Sequence, residues 1–217
     1  MTELAKVDLH EVMKPYWAPP TGAFSVIEVP ETKYICIDGE GDPNTSIAYQ
    51  QALNWLYAIS YSIKFASKKA GKDYTVAPLE GLWWSDDLSD FSAGRRDRWK
   101  WTAMIMQPDW IDDVAYLEAL TSVRAKLGDM PSSLRFETLA EGLSAQTLYV
   151  GPYDEEGPTI SRLHNVFLKE RGLVANGLHH EIYLSDPRRT QPSKLRTVIR
   201  QPVRHVGSEV DKAPAAA

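Results

Sequence analysis

His179-His180-Glu181-Ile182-Tyr183-Leu184-Ser185-Asp186-Pro187 reads as a short strand with a carboxylate in its middle. Apolar Ile182 and Leu184 alternate with Glu181, Tyr183 and Ser185, and a period of two puts the acid and the phenol on one face. Such a face is either solvated or lines a cavity that needs a negative charge. The chain's seven tryptophans and ten tyrosines supply material for that cavity.

Working outward, residues 24–29 and 34–38 alternate as two strands, and Gly39-Glu40-Gly41-Asp42-Pro43 ends the extended run. Asn44, Thr45 or Ser46 caps a helix that runs to about Lys69 and stops at Gly71, with Ala48, Ala52, Leu56, Ile59 and Ile63 as its buried stripe. Strands over 77–85 and 98–107 follow, joined by a polar loop, 86–97, expected to be exposed. A helix built on Val114, Leu117, Leu120 and Leu127 ends at Gly128. Residues 133–141 and 143–150 are expected to form a hairpin with Gly142 at its turn. A helix carrying Ile160, Leu163, Val166 and Phe167 then precedes the strand 179–186 and a last strand, 194–202.

Strand, strand, helix, strand, strand therefore occurs twice, over 24–107 and 133–202. Ser85-Asp86 falls at the position of Ser185-Asp186, and Gln107-Pro108 at that of Gln201-Pro202. The reading is an α+β fold, a tandem repeat of two halves in a pseudo-twofold sheet, with helices on one face and a ligand groove on the other. Its divisions are a lead-in over 1–22, one domain over 23–202 and a disordered tail over 203–217. Superposing the halves puts Gly81 opposite Glu181 and Trp83 opposite Tyr183. Two rings then wall a groove with a carboxylate near its floor, and a register error of one residue exchanges Trp83 for Trp84.

Of the 217 residues 43% are hydrophobic and 24% charged, as in an ordinary globular protein. A net charge of -5 argues against a nucleic-acid surface. No run is long and apolar enough to span a bilayer, and the start lacks a leader pattern, so a cytoplasmic protein is expected. Cys36 is the single cysteine, which excludes an internal disulfide and a cysteine-based zinc site. His180 and Glu181 point to opposite faces of a strand, so they do not chelate together; neither metal nor cofactor is expected.

Four segments carry a resemblance: Tyr34-Ile35-Cys36-Ile37-Asp38-Gly39-Glu40-Gly41-Asp42-Pro43, Leu82-Trp83-Trp84-Ser85-Asp86, Tyr149-Val150-Gly151-Pro152-Tyr153, and the strand around Glu181. Together they resemble the GyrI-like small-molecule-binding family. The resemblance implies that Glu181 lies in a groove that meets flat, often cationic, aromatic ligands. Freestanding, tryptophan-rich members are similar to a subgroup that hydrolyses the cyclopropane ring of DNA-alkylating natural products, which implies a detoxifying hydrolase. The alternatives are a protein that only sequesters such compounds and a modulator that contacts gyrase. No helix-turn-helix module precedes the domain, so a transcription-regulator role is not carried over.

Ring opening by water needs a base and a donor that holds the developing phenolate. Glu181 is the expected base, and Tyr183 and Tyr153 are the nearest donors, with Tyr61 a weaker candidate on the first long helix. Trp83, Trp84, Trp99 and Trp101 are the candidate stacking surfaces, with Met104 as an adaptable contact. Each has an ordinary structural explanation beside the functional one. Adjacent Trp83 and Trp84 cannot both face a ligand, Trp99 and Trp101 pack as well under a helix, and Tyr61 with Tyr57 makes an aromatic stripe on a helix.

Overall fold

Alternation builds strand β8 (His179–Tyr183), whose burial alternates along its length, whereas β4 (Lys100–Gln107) is buried almost throughout. The computed structural model describes residues 6–87, 90 and 94–208. Two short helices, α1 (Leu9–Val12) and α2 (Lys14–Trp17), lead into β1 (Ser25–Val29) and β2 (Thr32–Glu40). Next come α3 (Ile47–Lys69), β3 (Leu79–Trp84), β4 (Lys100–Gln107) and α4 (Asp113–Leu127). The second repeat comprises β5 (Arg135–Leu139), β6 (Gly142–Val150), α5 (Gly157–Arg162), a π-helical turn (Leu163–Phe167), α6 (Leu168–Glu170), β7 (Leu173–Ala175), β8 and β9 (Arg196–His205). The α+β class and the doubled order of elements are borne out.

The chain forms two compact units, residues 1–15 with 32–139 and residues 16–31 with 140–217. In the first, β3, β4, β2 and β5 make an antiparallel sheet in that order. Ser46 caps α3 by accepting from the Tyr49 amide at 3.3 Å. Ala52, Leu56, Ile59 and Ile63 are buried as the spacing predicts, whereas Ala48 is exposed. Each large member of that stripe contributes about 1.5–3 kcal/mol of burial. The stripe expected on α4 is out of phase. Val114, Leu117 and Leu127 are exposed, and Tyr116, Ala119 and Val123 are buried, because Tyr116 stacks on Phe136 of β5 at 5.4 Å and turns that face inward.

In the second unit β1, β6, β9 and β8 pair antiparallel, and β7 adds to β9. Ala145, Ile199 and Val203 of this sheet pack against Leu163 of the π-helical turn and Leu168 of α6, with Phe24 and Phe167 at the margin. Val166, expected in that stripe, is exposed.

The hairpin expected at Gly142 does not form. β5 pairs with β2 (Thr32↔Leu139), and β6 pairs with β1 (Val29↔Gly142), so the first strand of each repeat joins the sheet built on the other. Gly142 adopts a left-handed conformation, φ +61°, that redirects the chain, and the preceding Glu141 is drawn into a buried ion pair within the second unit. Strand β9 continues to His205, past Pro202, where the tail was expected to begin; residues 209–217 lie outside the described set. Within the loop 86–97, Asp90 is buried and accepts hydrogen bonds from Ser85 and Arg95, while 88, 89 and 91–93 lie outside the described residues.

Candidate functional site

Register decides which side of each sheet the candidate residues occupy, because partners directly opposite in an antiparallel pair share a face. Glu181 is opposite Ile199 and Tyr183 is opposite Thr197. Ile199 packs on Leu163 and Leu168, so Glu181 and Tyr183 stand on the helix-bearing face of their sheet. In the first unit Trp83 is opposite Trp101, and both meet Tyr49 of α3. The residues expected to line a face away from the helices therefore occupy the helix side in each unit. The phase inferred from the repeat, Trp83 with Tyr183, is the one observed.

Glu181 is not a solvated strand acid. Its side chain is 15% exposed, Oε1 receives His179 Nε2 at 3.0 Å, and Oε2 receives the Tyr183 hydroxyl at 2.8 Å. His179, Glu181 and Tyr183 make these contacts because residues two apart on a strand project together. Tyr153, in the turn after β6, sets its ring edge-to-face against Tyr183 at 5.5 Å. The two tyrosines and the carboxylate named from the sequence are thus brought together.

A second carboxyl joins them. Glu156 precedes α5, where its carbonyl accepts from the Thr159 and Ile160 amides, and its side chain points inward instead of capping the helix. The residue is 3% exposed. Burial first, and then the charge of Glu181, push its pKa well above the usual carboxylate range. Thr197 of β9 lies beside it. Among the described residues, Glu156 Oε1, Thr197 Oγ1 and His179 Nδ1 are all buried without a hydrogen-bond partner. Three orphaned polar atoms around one carboxylate mark a place where a polar ligand atom would be accommodated. His164, on the π-helical turn, faces the same region, and burial followed by the proximity of His179 lowers its pKa. Among the described residues no three His, Cys, Asp or Glu side chains are arranged to hold a metal ion.

The opposite face of β8 is a separate polar cluster. His180 Nδ1 lies 2.8 Å from Glu141 Oε1, and Arg200 donates to Glu141 Oε2 at 2.9 Å, to Gln146 at 3.0 Å and to the Tyr16 carbonyl at 2.7 Å. None of the three charged or ionisable side chains is more than 3% exposed. Glu141 and Arg200 neutralise each other's charge within this buried set of hydrogen bonds, which identifies a structural network.

The tryptophans divide. Trp101 is 1% exposed, meets Tyr49 edge-on at 4.9 Å and lies so close over Gly39 that a Cβ there would overlap its indole. It is core, as is Met104, which faces the other side of β4 opposite Cys36 and Glu80. Trp83 is buried against Tyr49 and, edge-to-face at 5.9 Å, against Trp99. Trp84 and Trp99 are half-buried. Tyr61 joins neither cluster: it stacks between Tyr57 and Phe65 on the solvent side of α3.

Residues 23–204 match the model of the GyrI-like small molecule binding domain. The chain belongs to the GyrI-like family. Among solved structures, an uncharacterized conserved protein from Listeria innocua is 36% identical, with a TM-score of 0.82 over 92% of this chain and 100% of that one. A hydrolase from Listeria innocua is likewise 36% identical, with a TM-score of 0.78 and the same coverage. The C-terminal domain of EcmrR is 12% identical, covering 85% of this chain and 98% of its own, with a TM-score of 0.55, and shares the fold. No curated protein matches.

In this GyrI-like chain, His179, Glu156, Thr197 and His164 join the candidate site without having been singled out from the sequence. His179 was legible, since it shares the parity of Glu181. Glu156 sits in an ordinary-looking acidic run, Asp154-Glu155-Glu156, ahead of a helix, where carboxylates usually face solvent. Nothing local separates the inward acid from its neighbours.

Proposed function

We propose that this GyrI-like protein binds flat, electrophilic aromatic molecules and hydrolyses them, opening a cyclopropane ring of the kind carried by DNA-alkylating natural products. The reading is a detoxifying hydrolase with Glu181 at its centre. The observation that carries it is the environment of Glu181: a carboxylate withdrawn from solvent, fixed at both oxygens and set beside the Tyr153–Tyr183 ring pair. Hydrolysis is supported by the Listeria relative described as a hydrolase. In this role Glu181 takes a proton from water as the water oxygen attacks the ring carbon, while His179 and Tyr183 keep the carboxylate in one orientation. Tyr153, 37% exposed, is the proposed stacking surface beside Glu181. An aromatic contact of this kind contributes about 0.5–1.5 kcal/mol beyond buried area.

Passive binding is the second reading, and the same two hydrogen bonds favour it, because a carboxylate held by two donors is a ready counter-ion for a flat cation. Incubating the purified protein with a cyclopropane-containing alkylator and following the ring-opened product separates the two. Product formed faster than in buffer, and lost in Glu181→Gln while a flat dye still binds, supports the hydrolase. No turnover above buffer sinks it.

A further inference from the structure

We propose that Glu156 is the proton donor of the site, delivering its carboxylic proton to the oxygen that gains electrons as Glu181 activates water. The inference rests on the hydrolase reading above. Tyr183 and Tyr153 were the donors expected from the sequence, but the Tyr183 hydroxyl is spent on Glu181, and Tyr153 sets its ring edge-to-face against Tyr183 as part of the aromatic wall. Glu156 is instead a buried acid with an unpartnered Oε1, close enough to Glu181 for the two charges to be felt. Burial first, and then the charge of Glu181, favour the protonated form of Glu156, so the more buried of the two carboxyls has the proton to give.

The groups that face Glu156 are consistent with this. From β8 comes Glu181, with His179 and Tyr183 bonded to it, from β9 Thr197, from β6 Tyr149, and from the π-helical turn His164 beside His179. Among the described residues, no lysine or arginine is paired with Glu156 to hold it ionised. Tyr149 is itself pushed up, by burial first and then by Glu156 and Glu155, and stays neutral.

The step balances without any further reactant. The water oxygen forms a bond to the cyclopropane methylene carbon, and the strained carbon–carbon bond breaks. Its electron pair moves through the conjugated ring to the carbonyl oxygen, giving a phenolate. Glu181 accepts the proton that water loses, and Glu156 gives its proton to the phenolate oxygen. Afterwards Glu181 is protonated and Glu156 ionised, and one proton passing between the neighbours restores the starting state. A donor that had to be reloaded from bulk water through a buried site would lack this return path.

The test compares wild type with Glu156→Gln, using the same alkylator for turnover, a non-electrophilic flat dye for binding, and infrared spectroscopy for the protonated carboxyl. Expected are a fall in kcat of about 10²–10⁴-fold in Glu156→Gln, dye affinity within about threefold of wild type, which is under 1 kcal/mol, and a wild-type rate that declines on the basic side where the variant's does not. A protonated-carboxyl band should be present in wild type at neutral pH and absent from Glu156→Gln. Turnover by wild type with an unchanged rate and pH profile in the variant overturns the donor role and leaves the hydrolase standing. No turnover by wild type removes both, and absence of the infrared band overturns a protonated Glu156 whatever the kinetics show.

Discussion

Substituting Glu141 by Gln removes one charge from the buried network on the far side of β8 and leaves another behind. Arg200 then keeps its charge with no carboxylate within reach, at a site where the side chain is 2% exposed. Breaking a buried pair from one side costs about 3–5 kcal/mol, because the remaining ion has been stripped of water and has nothing in return. At about 2–4 °C per kcal/mol for a protein of this size, the midpoint of thermal unfolding falls by about 6–20 °C. Removing the stranded charge as well, in Glu141→Gln with Arg200→Met, should recover more than half of that loss. Acid adds an independent signature. Burial alone would raise the Glu141 carboxyl, but His180 first and Arg200 next outweigh it and hold it at about 2, below its ordinary 4.5. A folded-state pKa below the unfolded one stabilises fully above the unfolded value, and the contribution disappears as pH falls from there toward 2. The gap between wild type and variant should therefore narrow over that window in urea melts at stepped pH. A midpoint within about 2 °C of wild type at neutral pH, equivalent to less than 1 kcal/mol, would refute the reasoning.

Glu181→Gln should abolish ring opening while a flat dye still binds, read by product formation and by quenching of tryptophan fluorescence. Gly39→Ala should destabilise the first unit more than an exposed glycine replacement does, since its methyl group meets the Trp101 indole, and a thermal melt unchanged from wild type would contradict that packing. Ser46→Ala removes the cap of α3 and should cost about 1 kcal/mol by chemical denaturation. Tyr61→Ser should leave stability within about 0.5 kcal/mol and turnover unchanged, because the ring stands on the solvent side of α3.

What could be read from the chain was whatever depends on neighbours in sequence. The cap at Ser46, the stop near Gly71 and the parity of Glu181 with Tyr183 are local, and each holds. Helix α4 shows where locality fails. Val114, Leu117 and Leu120 offer a stripe as good as Tyr116, Ala119 and Val123, and only stacking on Phe136, from a later strand, selects between them. Glu156 fails the same way, since its proximity to Glu181 joins the start of a helix to a strand formed well after it. The hairpin at Gly142 failed because alternation specifies that a segment is a strand without naming its partner.

The exchange of first strands bears on how the molecule can be divided. Ser25 of β1 is paired with Gln146, so closing the second sheet must wait for more than half of the chain to be available. A fragment that stops before β5 would strand β1 without a sheet to join and leave β2 with an open edge, a template for pairing with other chains. The two repeats are thus expected to fold as one slow, topologically interlocked event, with neither half able to serve as a portable module.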